Sequence, residues 1–493
     1  MNDYKLGRYY QQNQETRWAT EEEIRKATTR VDLSQTKYSP VGLPVLSDGK
    51  VAYVDDKDTH SLIFGSTGSK KTRLFVMPLL SMLTRAGESF VATDPKGELY
   101  ARTSGLAKAN GYDVIVINLR EIGKGSMWNP LHVPYTLYKA GKIDMAVSML
   151  NDFVSAIAAP QVERANDAFW PQMASSYILA LLLLLMECAS PEEANVASVG
   201  ALCNESAVNS LTKLADFMRD DTVAGMNFKA TLYTPERTRE SILASAYGMV
   251  RTFNTQRELC NMLSGNTVDL KQIGRRKTAL YLIIPDEKTT NHFLITMFLK
   301  QAYEILIAEA QKEENRELPV RVNFVLNEFC NIPHIPDMPA MISAARSRNM
   351  RYYLVVQSMH QLSGLYKEDA DTIKGNCDNW VFLTSKELVL LNEISDLCGS
   401  VFSPDGSSRR LISVSQLQRL KKEKGEALIM HCRSYPIISL LADIDSYEMF
   451  KGYPAVPMDN IHVPEAKVFS SNELLRKVVH EECPVPFGNN AAK

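Results

Sequence analysis

The chain has no C-x-x-C pair and no His/Cys grouping at metal-ligand spacing. Its eight cysteines, Cys188, Cys203, Cys260, Cys330, Cys377, Cys398, Cys432 and Cys483, are scattered. That argues against zinc and disulfide frameworks and reads as reduced core thiols of a cytoplasmic protein. An excess of either charge is also missing: 55 Lys+Arg against 57 Asp+Glu leave a net charge of −2. With no global basic signature, any nucleic-acid contact has to come from local loops or an assembled channel. The opening MNDYKLGRYYQQNQETRW lacks the apolar core of a secretory signal, and the longest apolar run, Ile178–Met186, falls well short of a membrane span. These absences lead to the expectation of a soluble chain. What remains is an ordinary globular composition, 45% hydrophobic and 23% charged over 493 residues, enough for roughly two or three domains with a large core.

The stretch His60–Leu80, HSLIFGSTGSKKTRLFVMPLL, places a short apolar run before a small-residue loop and a helical apolar pattern after it. This is the arrangement of a phosphate-binding loop. Small residues at Gly65, Ser66, Thr67, Gly68 and Ser69 let backbone N–H groups close around a polyphosphate. Lys71 supplies a mobile cation, and the Thr72 hydroxyl can hold Mg²⁺. The pattern G-x-x-x-x-G-K-[S/T] asks for glycine where this chain has Lys70, which puts a side chain where backbone usually touches phosphate. Taken alone, the same residues would also suit a turn capping a surface helix with two solvated lysines.

Strand and helix patterns then alternate. SFVATD delivers Asp94 to the end of a buried strand, DVIVIN (113–118) reads as another strand, and KTALYLIIP, VRVNFVLNEF, YYLVVQS, a strand around Trp380–Thr384 and Glu426–His431 follow. Such spacing implies parallel βαβ units with ligands beyond the carboxyl ends of the strands. From Tyr135 to about Arg257 strand signals vanish in favour of long helices at Met145–Ala158, Ala165–Cys188 and Pro235–Phe253, an all-helical insertion. The apolar strand 320–326 ends in Asn327 and Glu328, where a P-loop ATPase uses two acidic residues, the first for the Mg²⁺ shell and the second to polarise water. Asparagine keeps an oxygen there and loses the charge. A buried strand ending at a turn that happens to carry Glu is the plainer alternative.

These residues resemble the type IV coupling proteins of conjugation and type IV secretion. The carriers include RWATEEEI, GSTGSKKTR, FVATDPKGELYARTSG, MWNPL, DAFWPQMA, the NEFCNIPHIPDMPAMISAARSRNM block, VVQSMHQLSGLY, IKGNCDNWVFL and RRLIS, in order from about Arg17 to Asp445. The resemblance implies an α/β fold: a RecA-like P-loop nucleotide-binding domain (59–134 and 258–450) with an inserted all-α domain (135–257), an N-terminal arm (1–58) and a C-terminal tail (451–493). It implies ATP and Mg²⁺ as cofactors, with Lys71 on the β- and γ-phosphates, Thr72 and Asn327 toward the metal, and Asp94 beside the loop. Glu328 would act on water, Gln357 would sense the γ-phosphate, and Arg346 or Arg348 would reach a neighbouring subunit's nucleotide. The implied partners are DNA or a relaxase–DNA complex, a membrane-embedded secretion subunit and further copies in a hexamer. In relatives RWAT usually follows membrane helices; their absence from this sequence implies recruitment by another subunit or work away from a membrane. The departures at Lys70 and Asn327 both fall on the nucleotide site and point to slow hydrolysis. A nucleotide-binding receptor without turnover, and a DNA translocase or helicase outside secretion, therefore stand as alternatives.

Overall fold

The computed structural model describes residues 16–162, 165, 167–402, 407–458, 460, 463–482 and 486; the opening up to residue 15 and Cys483 lie outside them. The strands in chain order are β1 Thr29–Asp32, β2 Leu43–Ser47, β3 Val51–Asp55, β4 Ser61–Phe64, β5 Ser89–Asp94, β6 Asp113–Asn118 and β7 Thr278–Ile283. They continue with β8 Val322–Leu326, β9 Met350–Val356, β10 Asn379–Phe382, β11 Ser400–Phe402, β12 Ser408–Arg410, β13 Glu426–His431 and β14 Ile437–Leu440. Nine of them form one sheet in the order β14-β13-β10-β4-β9-β8-β5-β7-β6. The six from β10 to β7 run parallel, and β13 and β14 extend the sheet antiparallel. Strands β4, β5, β7, β8 and β9 are buried at every position. A parallel sheet is covered on both faces, which is why these strands read as continuous apolar runs rather than alternating ones.

The two strands expected to carry the nucleotide motifs, β4 and β8, lie in this one sheet with β9 between them. Ahead of them, the helix Glu21–Ala27 opens with a capping box between Thr20 and Glu23. Strands β1, β3 and β2 form a separate antiparallel sheet.

Among the described residues from 119 to 277 no strand forms. Three long helices, Ile143–Val162, Phe169–Cys188 and Glu236–Thr255, dominate this stretch. The apolar run Ile178–Met186 belongs to Phe169–Cys188, which is long and apolar enough by length and composition to cross a membrane; 61% of its most apolar stretch is buried. Leu181, Leu182, Leu184 and Leu185 are all fully buried, and the helix packs against Ile143–Val162, Val223–Leu232 and Glu236–Thr255. Tyr177 meets Phe228 edge-on at 6.1 Å. This is the burial of a central bundle helix.

The described residues divide into two compact units. One takes those up to Val116 with Leu270–Thr289 and Ala302–Pro457; the other takes Ile117–Asp269, Thr290–Gln301 and those from Met458 onward. The stretch 451–493, read from sequence as a tail, contains the helix Ser471–Val479. It buries Leu474 and Val478, and the hydroxyl of Ser471 lies 2.7 Å from that of Ser210 in the helix Glu205–Phe217. A short helix beyond a long irregular stretch carries little periodicity, and its partner lies far away in sequence.

Candidate nucleotide site

The loop after β4 is held where it starts. Gly65 N–H donates to Val356 O (3.1 Å) at the end of β9, and Ser66 N–H to Thr384 O (2.9 Å) just past β10. Ser69 N–H closes a turn onto Ser66 O at 3.0 Å. A Cβ on Gly65 would stand 2.4 Å from Ser69 Oγ and 2.8 Å from Lys71 Cγ, so only glycine lets the loop fold this tightly. The helix that follows begins with a widened turn in which Met77 N–H reaches Thr72 O, an i→i+5 bond of the kind often found at functional sites. Thr72 sits half-buried on this turn.

Lys70 keeps the backbone that the glycine pattern requires. Its φ is +66°, the left-handed region, which costs a non-glycine residue about 1–2 kcal/mol. Its side chain is not loose in the loop: Nζ donates to Asp443 Oδ2 at 3.2 Å. Arg73 pairs with the same carboxylate and with Asp445 Oδ2 at 2.5 Å. Asp443, just beyond β14, therefore anchors the side chain that the glycine pattern would place against phosphate, and Asp445 adds a second partner for Arg73. Nothing local to the loop signals Asp443, 373 positions away.

The other named residues converge from neighbouring strands. Lys71 is 5% exposed; its ammonium donates to Gly65 O and lies 3.7 Å from Glu328 Oε1. Burial lowers its pKa, and Glu328 opposes that shift. Glu328, at φ +56° just past β8, accepts from Gln357 Nε2 at 2.5 Å, and Gln357 Oε1 accepts from Thr67 Oγ1 at 3.2 Å. Lys71, Glu328, Gln357 and Thr67 thus form one continuous polar chain. It exists because β4, β9 and β8 are adjacent and parallel, so the residues just past their carboxyl ends share one edge.

Beside this chain three buried oxygens have no hydrogen-bond partner: Ser69 Oγ, Asp94 Oδ1 and Asn327 Oδ1. Buried polar atoms are rarely orphaned, and such exceptions point to an absent ligand, ion or water. Oxygen donors with one carboxylate suit a Mg²⁺ ion and its water shell, and the buried Lys71 suits phosphate, so the residues fit a magnesium nucleotide. Asp94 Oδ2 accepts from Tyr100 N–H at 2.8 Å, and burial raises the Asp94 pKa to about 6.

A raised folded-state pKa makes folding take up a proton. The stabilisation linked to Asp94 is complete below the unfolded value near 4 and is lost as pH rises through about 6. Asp94→Asn, which keeps the acceptor for Tyr100, is therefore expected to stabilise the nucleotide-free protein at pH 7 by on the order of 2 kcal/mol. It should have little effect at pH 4. Urea unfolding at the two pH values, without metal or nucleotide, checks this; an equal effect at both would show that Asp94 ionises normally.

Arg346 and Arg348 are not brought to this edge. They precede β9, at its amino end, so the seven residues of β9 separate them from Gln357 by roughly 20 Å at 3.3 Å per residue. Arg346 pairs with Asp378 at 3.1 Å, and Arg348 donates to Ser347. In this chain neither contributes to the site. No pattern in the sequence points to Asp443, nor to Lys422, whose Nζ donates to Gly68 O at 3.3 Å.

The sequence profile of the family described as Type IV secretory system Conjugative DNA transfer matches residues 16–428. The conjugal transfer protein TraG of Escherichia coli is 23% identical over 410 residues, covering 76% of this chain and 61% of TraG. VirD4 of Rhizobium radiobacter is 23% identical over 417 residues, covering 82% of this chain and 56% of VirD4. The chain thus spans a little over half the length of these relatives. Among solved structures, the plasmid coupling protein TrwB in complex with the non-hydrolysable ATP analogue ADPNP superposes with a TM-score of 0.57 at 13% identity, covering 92% of this chain and 97% of TrwB. TrwB in complex with ADP and Mg²⁺ gives 0.54 at 14%, covering 92% and 96%. This likeness carries the fold, a RecA-like P-loop domain with an all-α domain. With its profile matched from residue 16 to residue 428, the chain belongs to the coupling-protein family of type IV secretory conjugative DNA transfer.

Proposed function

We propose that this protein is a P-loop ATPase that receives DNA, or a relaxase–DNA complex, and delivers it to a conjugative or type IV secretion channel. The observation that carries the reading is the Lys71–Glu328–Gln357–Thr67 chain at the carboxyl edge of the sheet, beside the orphaned oxygens of Ser69, Asp94 and Asn327. Bound Mg-ATP would supply the phosphoryl group to be transferred to water. Lys71 leaves Gly65 O for phosphate charge, and Glu328, released from Lys71 and steadied by Gln357, takes up the proton of the attacking water. Thr72, Asp94 and Asn327 would hold the metal or its water shell. Arg346 and Arg348, at the opposite edge, are free of this chain's own site, which favours action on a neighbouring copy in a ring such as a hexamer. The protein works on the cytoplasmic side, recruited to the membrane by an embedded secretion subunit.

ATP turnover measured with and without single- and double-stranded DNA tests the reading, with Glu328→Gln as control. DNA-stimulated turnover that is lost in the variant supports it; turnover indifferent to DNA and to Glu328 ends it. One observation favours a second reading, a nucleotide-binding receptor with little hydrolysis: the residue ahead of Glu328 is the neutral Asn327, whose side-chain oxygen is buried without a partner. A soluble translocase or helicase outside secretion would give the same turnover but would not bind secretion components.

A further inference from the structure

At the amino edge of the same unit, far from the phosphate loop, three side chains from distant parts of the sequence meet. Asp55 ends β3, His431 ends β13 and Cys432 follows it. Asp55 and His431 are fully or almost fully buried and Cys432 is half-buried. Neighbouring residues in a strand face opposite ways, but the left-handed backbone at Cys432, φ +48°, breaks that alternation. His431 Nε2 stands 3.5 Å from Asp55 Oδ1 and Cys432 Sγ 4.0 Å from Asp55 Oδ2. One ligand atom from each residue lies within 4.8 Å of the others.

Two features set this cluster apart from a plain buried ion pair. Both ring nitrogens of His431 are buried without a hydrogen-bond partner, although a histidine paired with a carboxylate should donate squarely to it. Asp55, by contrast, is oriented by a full set of donors: Thr59 Oγ1 at 2.6 Å and Asn379 Nδ2 at 2.7 Å reach Oδ2, and Lys57 N–H reaches Oδ1 at 3.3 Å. Asn379 also receives the Cys432 N–H at 3.2 Å on its Oδ1. One carboxylate is fixed from behind, an imidazole stands beside it, and the Cys432 thiol aims its S–H at Asp55 Oδ2 and at Asn379 Oδ1 (3.6 Å).

We infer that Asp55, His431 and Cys432 form a binding site for a divalent transition-metal cation of the zinc class. Ligand bonds of about 2.0–2.3 Å in a tetrahedron put ligand atoms about 3.3–3.8 Å apart; the 3.5 Å between His431 and Asp55 falls in that range, and Cys432 Sγ, 4.0 Å from Asp55, lies just outside it. Thiolate with imidazole selects zinc-like ions over Mg²⁺ and Ca²⁺. Asn379 and Thr59 are the supporting residues that such sites need around their carboxylate. On binding, the Cys432 thiol and the His431 imidazolium paired with Asp55 each lose a proton to solvent, so that thiolate, neutral imidazole and carboxylate balance the cation to zero charge. A fourth position goes to water. The cation fastens the end of β3, in the small antiparallel sheet, to the end of β13 in the large one. From sequence, zinc was not expected: the adjacent His431 and Cys432 offer only two ligands, and the third lies 376 positions earlier.

The test uses the purified full chain, stripped with chelator and titrated with Co²⁺ as the probe, then with Zn²⁺. We expect one equivalent of Co²⁺ to produce a near-ultraviolet thiolate-to-cobalt band, which Zn²⁺ abolishes. Cys432→Ser should remove the band and weaken binding by at least about a hundredfold, and Asn379→Ala by about 10- to 100-fold. Cys330→Ser, at a half-buried cysteine outside the cluster, should leave the band intact. A second measurement needs no variant: Zn²⁺ should slow iodoacetamide labelling of Cys432 by about tenfold or more, with Cys188 and Cys330 as internal references. No thiolate band, a band that survives in Cys432→Ser, or labelling of Cys432 indifferent to Zn²⁺ would each overturn the inference.

Discussion

Lys71→Ala is expected to abolish the ATP-dependent rise in melting temperature. In the unmodified protein, Mg-ATP at a hundred times its Kd should stabilise the fold by about 2.7 kcal/mol. Lys71 is the cation best placed to supply that energy: its side chain is 5% exposed and its ammonium sits between Gly65 O and Glu328. A buried ammonium is desolvated already, so exchanging a carbonyl and a carboxylate for phosphate oxygens requires little reorganisation. Alanine takes away the charge and leaves Glu328 its Gln357 partner, so the nucleotide-free variant should stay folded. Affinity is expected to fall at least about a hundredfold, equivalent to about 2.7 kcal/mol. The melting temperature of each protein, with and without Mg-ATP, reads this directly. An unchanged nucleotide shift would remove Lys71 from the site, and with it the assignment of the loop.

The second large effect concerns the two departures from the P-loop pattern. Lys70→Gly with Asn327→Asp is expected to raise ATP turnover by about a hundredfold, which corresponds to about 2.7 kcal/mol of barrier. The two changes should contribute unequally. Because Lys70 is held by Asp443, glycine relieves left-handed backbone strain of about 1–2 kcal/mol. It gives up a part-exposed ion pair worth about 0–1 kcal/mol, so Lys70→Gly alone should change stability slightly and turnover little. Asn327→Asp acts on the metal. It converts a buried, unpartnered amide oxygen near Asp94 into a carboxylate, which destabilises the metal-free protein and strengthens Mg²⁺ binding. The pair should exceed the sum of the singles, since metal and phosphate positions are set jointly. Steady-state turnover of the four proteins at saturating Mg-ATP decides it. Rapid, DNA-stimulated hydrolysis by the unmodified protein would mean that Asn327 already suffices beside the metal, and slow hydrolysis by all four would favour the receptor reading.

The sequence by itself determined the parts whose signal is local. The strand–loop–helix around Lys71, the strand ending in Asn327 and Glu328, the strand ending in Gln357, and the helical stretch between Tyr135 and Arg257 are each written in a short window, because apolar runs and small-residue loops act through neighbouring residues. The ordered motif blocks also carried the family. The tertiary structure alone decided which windows meet. Sheet order β8-β9-β4 brings Glu328 and Gln357 to Lys71 and leaves Arg346 and Arg348 at the far edge. Strand β14, an antiparallel addition with a weak pattern of its own, delivers Asp443 to Lys70. The meeting of β3 and β13 at the other end joins Asp55 to His431 and Cys432. These contacts span hundreds of residues, and they are fixed by how the whole sheet buries its two faces, a sum over every strand and helix that no single window of sequence contains.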